Sequence, residues 1–342
     1  MKKKIAFISG IGGQDGAYLA KFLINKGYFV IGGDRRSSRN TFWRLKYLKI
    51  IDKIKIIDFE LNEITNIIRI FKENRIDEFY NLAAQSFVHS SFKNPITTSD
   101  SNALGVLRIL ETIRSLSPKT KFFQASTSEL YGNSKNKVQN ENTMFSPRSP
   151  YAVSKLFAHY MTINYREAYG LFACCGITFN HESPLRSEEF VTKKITKSLV
   201  EIKYKNLKYL ELGNINAKRD WGFAGEYVEL FWRMLQQKKP KEYVISTNKS
   251  HSIKDFINEA AKYCDFKLKW IGKGVNEKAI DVKTNKIIIK INKNFFRPAD
   301  VNFLKGNNNK IKNELSWKPQ YNFKKLVKKM MVYELNEYKR YN

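Results

Sequence analysis

The chain has 342 residues, of which 42% are hydrophobic and 14% aromatic, a composition typical of a globular protein with one large domain or two ordinary ones. Lys and Arg (61) outnumber Asp and Glu (32), and the formal net charge of +29 favours an anionic partner such as nucleic acid, a membrane surface or a phosphorylated metabolite. Because the lysines are scattered and no apolar run approaches the roughly 20 residues of a membrane span, we expect neither nucleic acid nor membrane as a partner.

The first residues, "MKKKIAFISGIGGQDG", begin like a signal peptide, with basic residues before an apolar run. The run is too short and leads into Gly, Gln and Asp, so it predicts a first strand instead. Three cysteines, Cys174, Cys175 and Cys264, have no metal-binding spacing, and any disulfide scheme leaves one of them unpaired. We therefore expect reduced thiols, a cytoplasmic location and no metal site.

The N-terminal half of the chain alternates strand and helix patterns. Strand patterns occur at "KIAFIS", "YFVIGG", "KIKIIDF", "DEFYNLA", "KFFQAS" and "FACCGITF", and helical patterns at residues 17–25, 63–72, 96–114 and 150–169. This alternation predicts an α/β fold with a Rossmann-type doubly wound parallel sheet. After about Asn180 the elements become shorter and mixed, and an amphipathic helix begins near Asn322. We predict one domain over residues 1–180 and a smaller α/β lobe over 181–342, interleaved with the last elements of the sheet.

A glycine loop, "GIGGQDG", follows the first strand and opens a helix. Gly10, Gly13 and Gly16 have the spacing that allows a tight turn and lets backbone N–H groups approach a pyrophosphate at a helix N-terminus. An ordinary strand–helix turn would also contain glycines. Because the loop lies in the first βα unit of an alternating fold, it favours a dinucleotide site.

The second strand ends in "GGDRRSS", which carries two conflicting signals. Asp34 falls where a carboxylate would accept hydrogen bonds from the adenosine ribose of NAD, whereas Arg35 and Arg36 would suit the 2′-phosphate of NADP. A surface charge cluster is the third interpretation. The residues alone leave the three open.

Two further stretches carry groups suited to catalysis. "FFQASTSELYG" begins as a buried strand and ends in two serines, Thr127 and Glu129, which either cap a turn or serve a catalytic site. About 25 residues later, "YAVSK" places Tyr151 and Lys155 on one face of a helix. A nearby ammonium lowers the pKa of tyrosine from its usual value of about 10 and so makes it a better base. Such a pair is also common on protein surfaces.

Together, the glycine loop, the strand ending in Ser and Thr, and the Y-x-x-x-K motif resemble the extended short-chain dehydrogenase/reductase superfamily. The motifs "GIGGQDG", "RRSS", "YNLAAQSFV", "QASTSELYG", "PRSPYAVSK", "NHESP", "FVTKKI", "LGN…RDWG" and "FRPAD" occur in the order found in the GDP-mannose 4,6-dehydratases. The resemblance covers about residues 4–333. It implies conversion of GDP-mannose to GDP-4-keto-6-deoxymannose by a hydro-lyase that uses a nicotinamide cofactor.

The resemblance also assigns roles to the reactive residues. In that family the residues matching Thr127, Glu129 and Tyr151 are catalytic, and the one matching Lys155 supports the tyrosine. Tyr151 would take the proton from the sugar O4 while C4 gives up a hydride, and Thr127 would hydrogen-bond to O4. Glu129 would take the C5 proton before water leaves C6. A simple epimerase or reductase needs no base at C5, so Glu129 is the informative residue.

Two larger sets of residues follow from the same resemblance. The cofactor set, for which we predict NADP with NAD as the alternative because of Asp34, is Gly10, Gly12, Gly13, Gln14, Asp15, Gly16, Asp34, Arg35, Arg36, Ser37, Ser38, Glu60, Leu61, Leu82, Ala83, Ala84, Gln85, Ser86, Tyr151, Lys155, His181 and Arg186. The GDP-sugar set is Ser86, Thr127, Ser128, Glu129, Tyr151, Asn180, Val191, Lys194, Gly213, Arg219, Arg297 and Asp300. Lys and Arg suit a diphosphate, and Arg adds bidentate geometry.

The sequence departs from the family pattern at several of these positions. Gly12 stands where the family usually has Thr, Glu60 where it has Asp, and Asp34 where the residue is not acidic. These departures leave open the choice between NADP and NAD and the fine sugar specificity, with GDP-manno-heptose as the alternative substrate. A non-catalytic dinucleotide sensor or RNA binder is the rival from another class. The segment "RRSSRNTFWR" resembles a part that builds tetramers in the family, so we expect a homodimer or homotetramer.

Overall fold

The computed structural model of the protein describes residues 3–38, 40–296 and 301–341. Its strands are β1 Ile5–Ser9, β2 Phe29–Asp34, β3 Ile54–Asp58, β4 Glu78–Asn81, β5 Lys121–Thr127, β6 Ala173–Thr178, β7 His181–Glu182, β8 Leu210–Leu212, β9 Lys218–Asp220, β10 Gly222–Phe223, β11 Glu242–Ile245, β12 Ser250–Ser252, β13 Leu268–Ile271, β14 Lys278–Asp281 and β15 Ile287–Ile291. Its α-helices are α1 Gln14–Asn25, α2 Trp43–Tyr47, α3 Ile64–Glu73, α4 Val88–Lys93, α5 Pro95–Ser99, α6 Gly105–Leu116, α7 Pro150–Tyr169, α8 Val191–Lys203, α9 Ala224–Leu235, α10 Ile253–Ala261, α11 Asn309–Glu314 and α12 Phe323–Tyr341.

Seven strands form a parallel sheet in the order β11-β6-β5-β4-β1-β2-β3. Helices cover both faces: α1 and α9 pack on one, and α3, α6 and α7 on the other. The strands are therefore buried on both sides, which explains why "IAFIS" and "ACCGIT" are nearly continuous apolar runs. The doubly wound α/β fold predicted from the sequence is confirmed.

A second, four-stranded sheet in the order β13-β14-β15-β8 forms the centre of a smaller lobe. Its apolar face packs with α8, α10 and α12 in a separate core. Two further short strand pairs are formed by β7 with β10, which are parallel, and by β9 with β12, which are antiparallel. None of the helices in the described part of the chain is long and apolar enough to cross a membrane.

Helix α7 has the bounds that the sequence predicted, because its termini are specified locally. The Ser149 side chain accepts a hydrogen bond from the backbone N–H of Ala152, and Pro150 occupies the first turn, where its missing N–H costs nothing. Gly170 ends the helix in the left-handed conformation, with φ of 69°.

The helix predicted over residues 96–114 differs from the observed one. A π-helical turn over Asp100–Leu104 joins α5 to α6, so the segment is not one regular α-helix. The turn positions the side chain of Asn102. Its Oδ1 accepts a hydrogen bond from the backbone N–H of Gln85 at 2.8 Å, and its Nδ2 donates one to the carbonyl oxygen of Gln85 at 3.0 Å. The π-turn thus orients a side chain that holds a loop of the chain far away in sequence. Such turns are frequent at functional sites. The short helix α2 was not predicted.

Candidate active site

A cavity of about 890 Å³ opens at the carboxyl ends of the central parallel strands and extends to the smaller lobe. This edge of a doubly wound sheet is where such folds bind ligands. Most residues of the two predicted sets lie on its wall, including all four predicted catalytic residues. Gly12, Arg36, Ser37 and Ser38 do not line it, and Arg297 and Asp300 lie outside the described residues.

Close backbone packing in the glycine loop leaves no room for a side chain at two of its positions. Gly10 has φ of 71°, and a Cβ atom there would lie 3.0 Å from the backbone of Ala83. A Cβ atom on Gly16 would lie 2.4 Å from the carbonyl oxygen of Gly10. Both positions therefore require glycine. The resulting cradle at the start of α1 fits the pyrophosphate of a dinucleotide.

The end of β2 forms the next part of the wall. The carboxylate of Asp34 accepts hydrogen bonds from the backbone N–H of Gly12 at 3.1 Å and of Arg35 at 3.0 Å. Asp34 and Arg35 line the cavity, while the Arg36 side chain is exposed away from it. Glu60 and Leu61, which follow β3, continue the wall at the same side.

The loop after β4 supplies Leu82, Ala83, Ala84, Gln85 and Ser86 to the wall. The Ser9 hydroxyl accepts hydrogen bonds from the N–H groups of Leu82 and Ala83, at 3.1 and 3.2 Å. The side-chain amide of Asn102 on the π-turn also forms hydrogen bonds with Gln85. The loop is therefore held by both Ser9 and Asn102. Asn102 is thus a positioning residue that the sequence reasoning missed.

The four predicted catalytic residues converge from two elements. Thr127 ends β5, and the helical turn Ser128–Leu130 that follows carries Glu129, whose N–H donates to the Thr127 hydroxyl at 3.2 Å. Tyr151 and Lys155 lie one turn apart at the N-terminus of α7. The residue order therefore sets a hydroxyl, a carboxylate, a phenol and an ammonium on one wall of the cavity.

Burial dominates the acid–base character of the tyrosine and the lysine. It raises the pKa of Tyr151 to about 12, although the side chain of Thr127 favours the ionised form. It lowers the pKa of Lys155 to about 8. Both shifts have the sign expected for groups that lose hydration in the charged state. The unliganded site therefore favours a neutral phenol. The expectation that the Lys155 ammonium lowers the pKa of Tyr151 is wrong for this state, because burial dominates and Lys155 is not among the main groups that shift it.

His181 and Asp15 form a pair beside the glycine loop. The Nε2 atom of His181 lies 2.7 Å from a carboxylate oxygen of Asp15, and Nδ1 lies 2.7 Å from the carbonyl oxygen of Phe179. Burial lowers the pKa of His181, but Asp15 outweighs it, so the net pKa lies above the usual value. Because both ring nitrogens face acceptors, the imidazolium form satisfies both contacts. Arg186, also on the wall, lies 3.4 Å above the centre of the Phe190 ring.

The far end of the cavity belongs to the smaller lobe. Asn180, Val191, Lys194, Gly213 and Arg219 line it there, together with Ser128 from the catalytic turn. The Lys194 ammonium donates to the carbonyl of Glu211 at 3.0 Å and lies 4.2 Å from the Phe295 ring centre. Phe295 was not anticipated from the sequence. Its ring and the lysine give this end an apolar and a cationic surface, which suit a base and a phosphate.

Arg44 in α2 is a buried residue that the sequence reasoning also missed. Its guanidinium donates to the carbonyl of Leu185 at 2.7 Å, to the carbonyl of Gly12 at 2.9 Å and to the hydroxyl of Ser187 at 2.9 Å. Arg44 thus connects the glycine loop to the segment that carries Arg186. Its partners lie 32 to 143 residues away along the chain, so no local pattern indicated it.

No group of three or more His, Cys, Asp or Glu side chains placed to hold a metal ion occurs within residues 3–38, 40–296 and 301–341.

Comparison with known proteins identifies the family. The family model described as "GDP-mannose 4,6 dehydratase" matches residues 7–330. A GDP-mannose 4,6-dehydratase of Vibrio cholerae is 45% identical over 354 residues, covering 98% of this chain and 95% of its own. GDP-mannose 4,6 dehydratase 1 of Arabidopsis thaliana is 46% identical over 348 residues, covering 99% and 91%. The structure of dTDP-glucose 4,6-dehydratase from Bacillus anthracis in complex with NAD has a TM-score of 0.81 at 20% identity, with 98% of each chain covered, and so shares the fold. The chain belongs to the GDP-mannose 4,6-dehydratase family.

Proposed function

We propose that the protein dehydrates GDP-mannose to GDP-4-keto-6-deoxymannose. The observation that carries this proposal is the position of Glu129, which lies on the cavity wall next to Thr127 and interacts electrostatically with Tyr151. A reaction confined to C4 of a sugar needs the tyrosine, the threonine and the lysine but no second base. A carboxylate beside them supplies the base that elimination across C5 and C6 requires.

A tightly held nicotinamide dinucleotide fits the cradle formed by Gly10, Gly13 and Gly16, and when bound it would accept a hydride from C4 and return it to C6. The side chains of the protein handle the protons. Tyr151 takes the proton of the O4 hydroxyl, and Thr127 donates a hydrogen bond to that oxygen. With the dinucleotide bound, Lys155 would hold a ribose hydroxyl and its charge would favour the phenolate form of Tyr151. Glu129 takes the C5 proton and delivers it to the hydroxyl that leaves C6, so that one water is lost. C5 then takes up a proton as C6 receives the hydride, which balances the proton that Tyr151 removed from O4.

Exchange of Glu129 for Gln tests this assignment directly. Glu129→Gln should still bind GDP-mannose but should neither release product nor exchange the C5 hydrogen with deuterated water, because an amide cannot accept the proton. Loss of product of at least about 10²-fold is expected from the usual contribution of a general base. Substrate binding by calorimetry, product by mass spectrometry and exchange by NMR measure the three effects.

Two further variants complete the experiment. Glu73→Gln, an exposed carboxylate on α3, should leave all three readouts unchanged. Tyr151→Phe should also stop product formation, because the O4 proton then has no acceptor. A near-normal rate of product formation by Glu129→Gln would show that the carboxylate only caps the turn. Turnover of GDP-mannose and GDP-manno-heptose by the purified protein separates the two sugar substrates.

Large apolar side chains are exposed on α5, the π-turn and α7, and they support the proposal of a homodimer. Ile96 is 84% exposed, Val153 55% and Tyr160 54%, and Leu104 and Phe157 are exposed to a smaller extent, at 44% and 38%. A second copy of the same surface would bury these side chains in an isologous helix-on-helix contact. A tetramer would use a second surface in addition.

We propose in addition the two-lobe division at about residue 180 and a cytoplasmic location. The large sheet carries the glycine cradle and the catalytic wall, and the smaller lobe carries the end of the cavity lined by Lys194 and Phe295. The three cysteines are free and buried, which suits a reducing compartment.

A further inference from the structure

Gly12 and Asp34 were two separate departures in the sequence, but the structure makes them one feature. The N–H of Gly12 donates to Oδ2 of Asp34 at 3.1 Å. A Cβ atom built on Gly12 would lie 2.5 Å from that oxygen and 2.9 Å from the carbonyl oxygen of Thr41. No side chain fits at position 12 while the carboxylate occupies its observed place. Asp34 is therefore built into the floor of the glycine loop.

The carboxylate is held in a form that is ready to accept further hydrogen bonds. Burial outweighs the other influences and leaves the pKa of Asp34 above its usual value, although the N–H groups of Gly12 and Arg35 and the charges of Arg35 and Arg44 lower it. Each oxygen receives one backbone N–H, an arrangement that favours the ionised carboxylate. Each oxygen also retains a lone pair, and the side chain forms part of the cavity wall.

The two arginines that follow are less well placed than the sequence indicated. Arg35 lines the cavity with an exposed side chain, and Arg36 is exposed away from it. Neither guanidinium is hydrogen-bonded or ion-paired within the part of the chain that the structure describes. Among the described residues, a 2′-phosphate would therefore meet the exposed side chain of Arg35 and, beside it, the fixed negative charge of Asp34. Ribose hydroxyls, by contrast, would donate to that charge.

From this geometry we infer that Asp34 selects the unphosphorylated adenosine ribose, so that the protein retains NAD in preference to NADP. The inference rests on the proposed nicotinamide-dependent function and reverses the preference that Arg35 and Arg36 predicted from sequence. A hydrogen bond from the ribose to the Asp34 carboxylate stabilises bound NAD, and the same carboxylate repels the 2′-phosphate of NADP. Together these effects should make the dissociation constant of NADP at least about tenfold higher than that of NAD.

The experiment identifies the bound cofactor and then measures both affinities. Mass spectrometry of the dinucleotide released from the purified protein should show mainly NAD. The cofactor-free protein, titrated with each dinucleotide by calorimetry, should bind NAD at least about tenfold more tightly than NADP. Asp34→Asn should reduce this ratio at least about tenfold by removing the charge. Asp58→Asn, the exposed neighbour of Asp34 in the β2–β3 ladder, serves as the matched control and should leave the ratio unchanged.

A stability measurement tests the coupling separately. Gly12→Ala should lower the melting temperature more in the native background than in the Asp34→Gly background, because the smaller residue removes the closest contact. Equal losses in both backgrounds would contradict the coupling. Release of NADP, or tighter binding of NADP than of NAD, would overturn the inference and leave the dehydratase proposal intact. Binding of neither dinucleotide would overturn the proposed function itself.

Discussion

Replacing Lys155 with Met should stabilise the cofactor-free protein at neutral pH, although it removes a group of the catalytic wall. Lys155 is only 4% exposed, and none of the described residues hydrogen-bonds to its ammonium. Burial lowers its pKa from 10.5 to about 8. At 1.36 kcal/mol per pH unit, the charged ammonium costs the folded state about 3 kcal/mol. Met keeps the length of the stem and carries no charge.

The sign and the pH window follow from proton linkage. Below pH 8 both the folded and the unfolded state bind the proton, and the full cost is present. Between pH 8 and 10.5 the unfolded state binds more protons, so the stability of the native sequence rises with pH and the advantage of the variant disappears. For a chain of 342 residues, about 3 kcal/mol corresponds to roughly 4 °C in melting temperature.

Thermal and urea unfolding at pH 7, 9 and 10, with the dinucleotide removed, measure the effect. Lys72→Met, which changes an exposed lysine on α3, controls for the loss of a lysine as such and should show no comparable gain. If Lys155→Met is less stable than the native protein at pH 7, burial does not penalise this ammonium and the reasoning fails. A gain that is the same at pH 7 and pH 10 would equally contradict it.

Two further predictions concern the support of the site and the assembly. Arg44→Met should lower the free energy of unfolding by about 2 kcal/mol in urea titrations and speed the loss of bound dinucleotide, because the Gly12 and Leu185 carbonyls lose their donor; exposed Arg69→Met should do neither, and unchanged retention would show that Arg44 does not hold the loop. Phe157→Glu should yield monomers in analytical ultracentrifugation because it places a charge in the apolar helix surface, whereas Val282→Glu, at an exposed position off that surface, should not, and an intact dimer would exclude the α5–α7 contact.

The large sheet was predictable because its signals are local. Apolar runs bounded by glycine and polar residues mark the first six strands, and the cap and terminator of α7 lie within one turn of its ends. The π-turn at Asp100–Leu104 was not predictable, since it depends on the pairing of Asn102 with Gln85. The strand β11 lacked any signal for its partner, because it pairs with β6 from almost seventy residues away.

The same division applies to the site. The sequence motifs indicated the four residues of the catalytic wall and most of the other cavity residues. This was possible because each motif lies at the beginning or end of an element at one edge of the sheet. The contact between Gly12 and Asp34 joins the first loop to the end of β2, and sequence could show only that both positions are unusual. The apolar surface of Phe295 at the far end of the cavity lies on a segment without a regular pattern, so no periodicity indicated it.

The edge position of β11 has a consequence for how the protein can be made. The outer edge of β6, all six residues of which are buried in the finished protein, is covered by a strand that begins at Glu242. Helix α9, also from the second half, covers one face of the same sheet. During synthesis the edge of β6 and one apolar face of the sheet therefore stay exposed to solvent after the first 180 residues have emerged. They are covered only when about 245 residues have left the ribosome. A gene fragment that ends at the lobe boundary should give an aggregating product, and a complete large sheet requires the chain at least as far as Ile245.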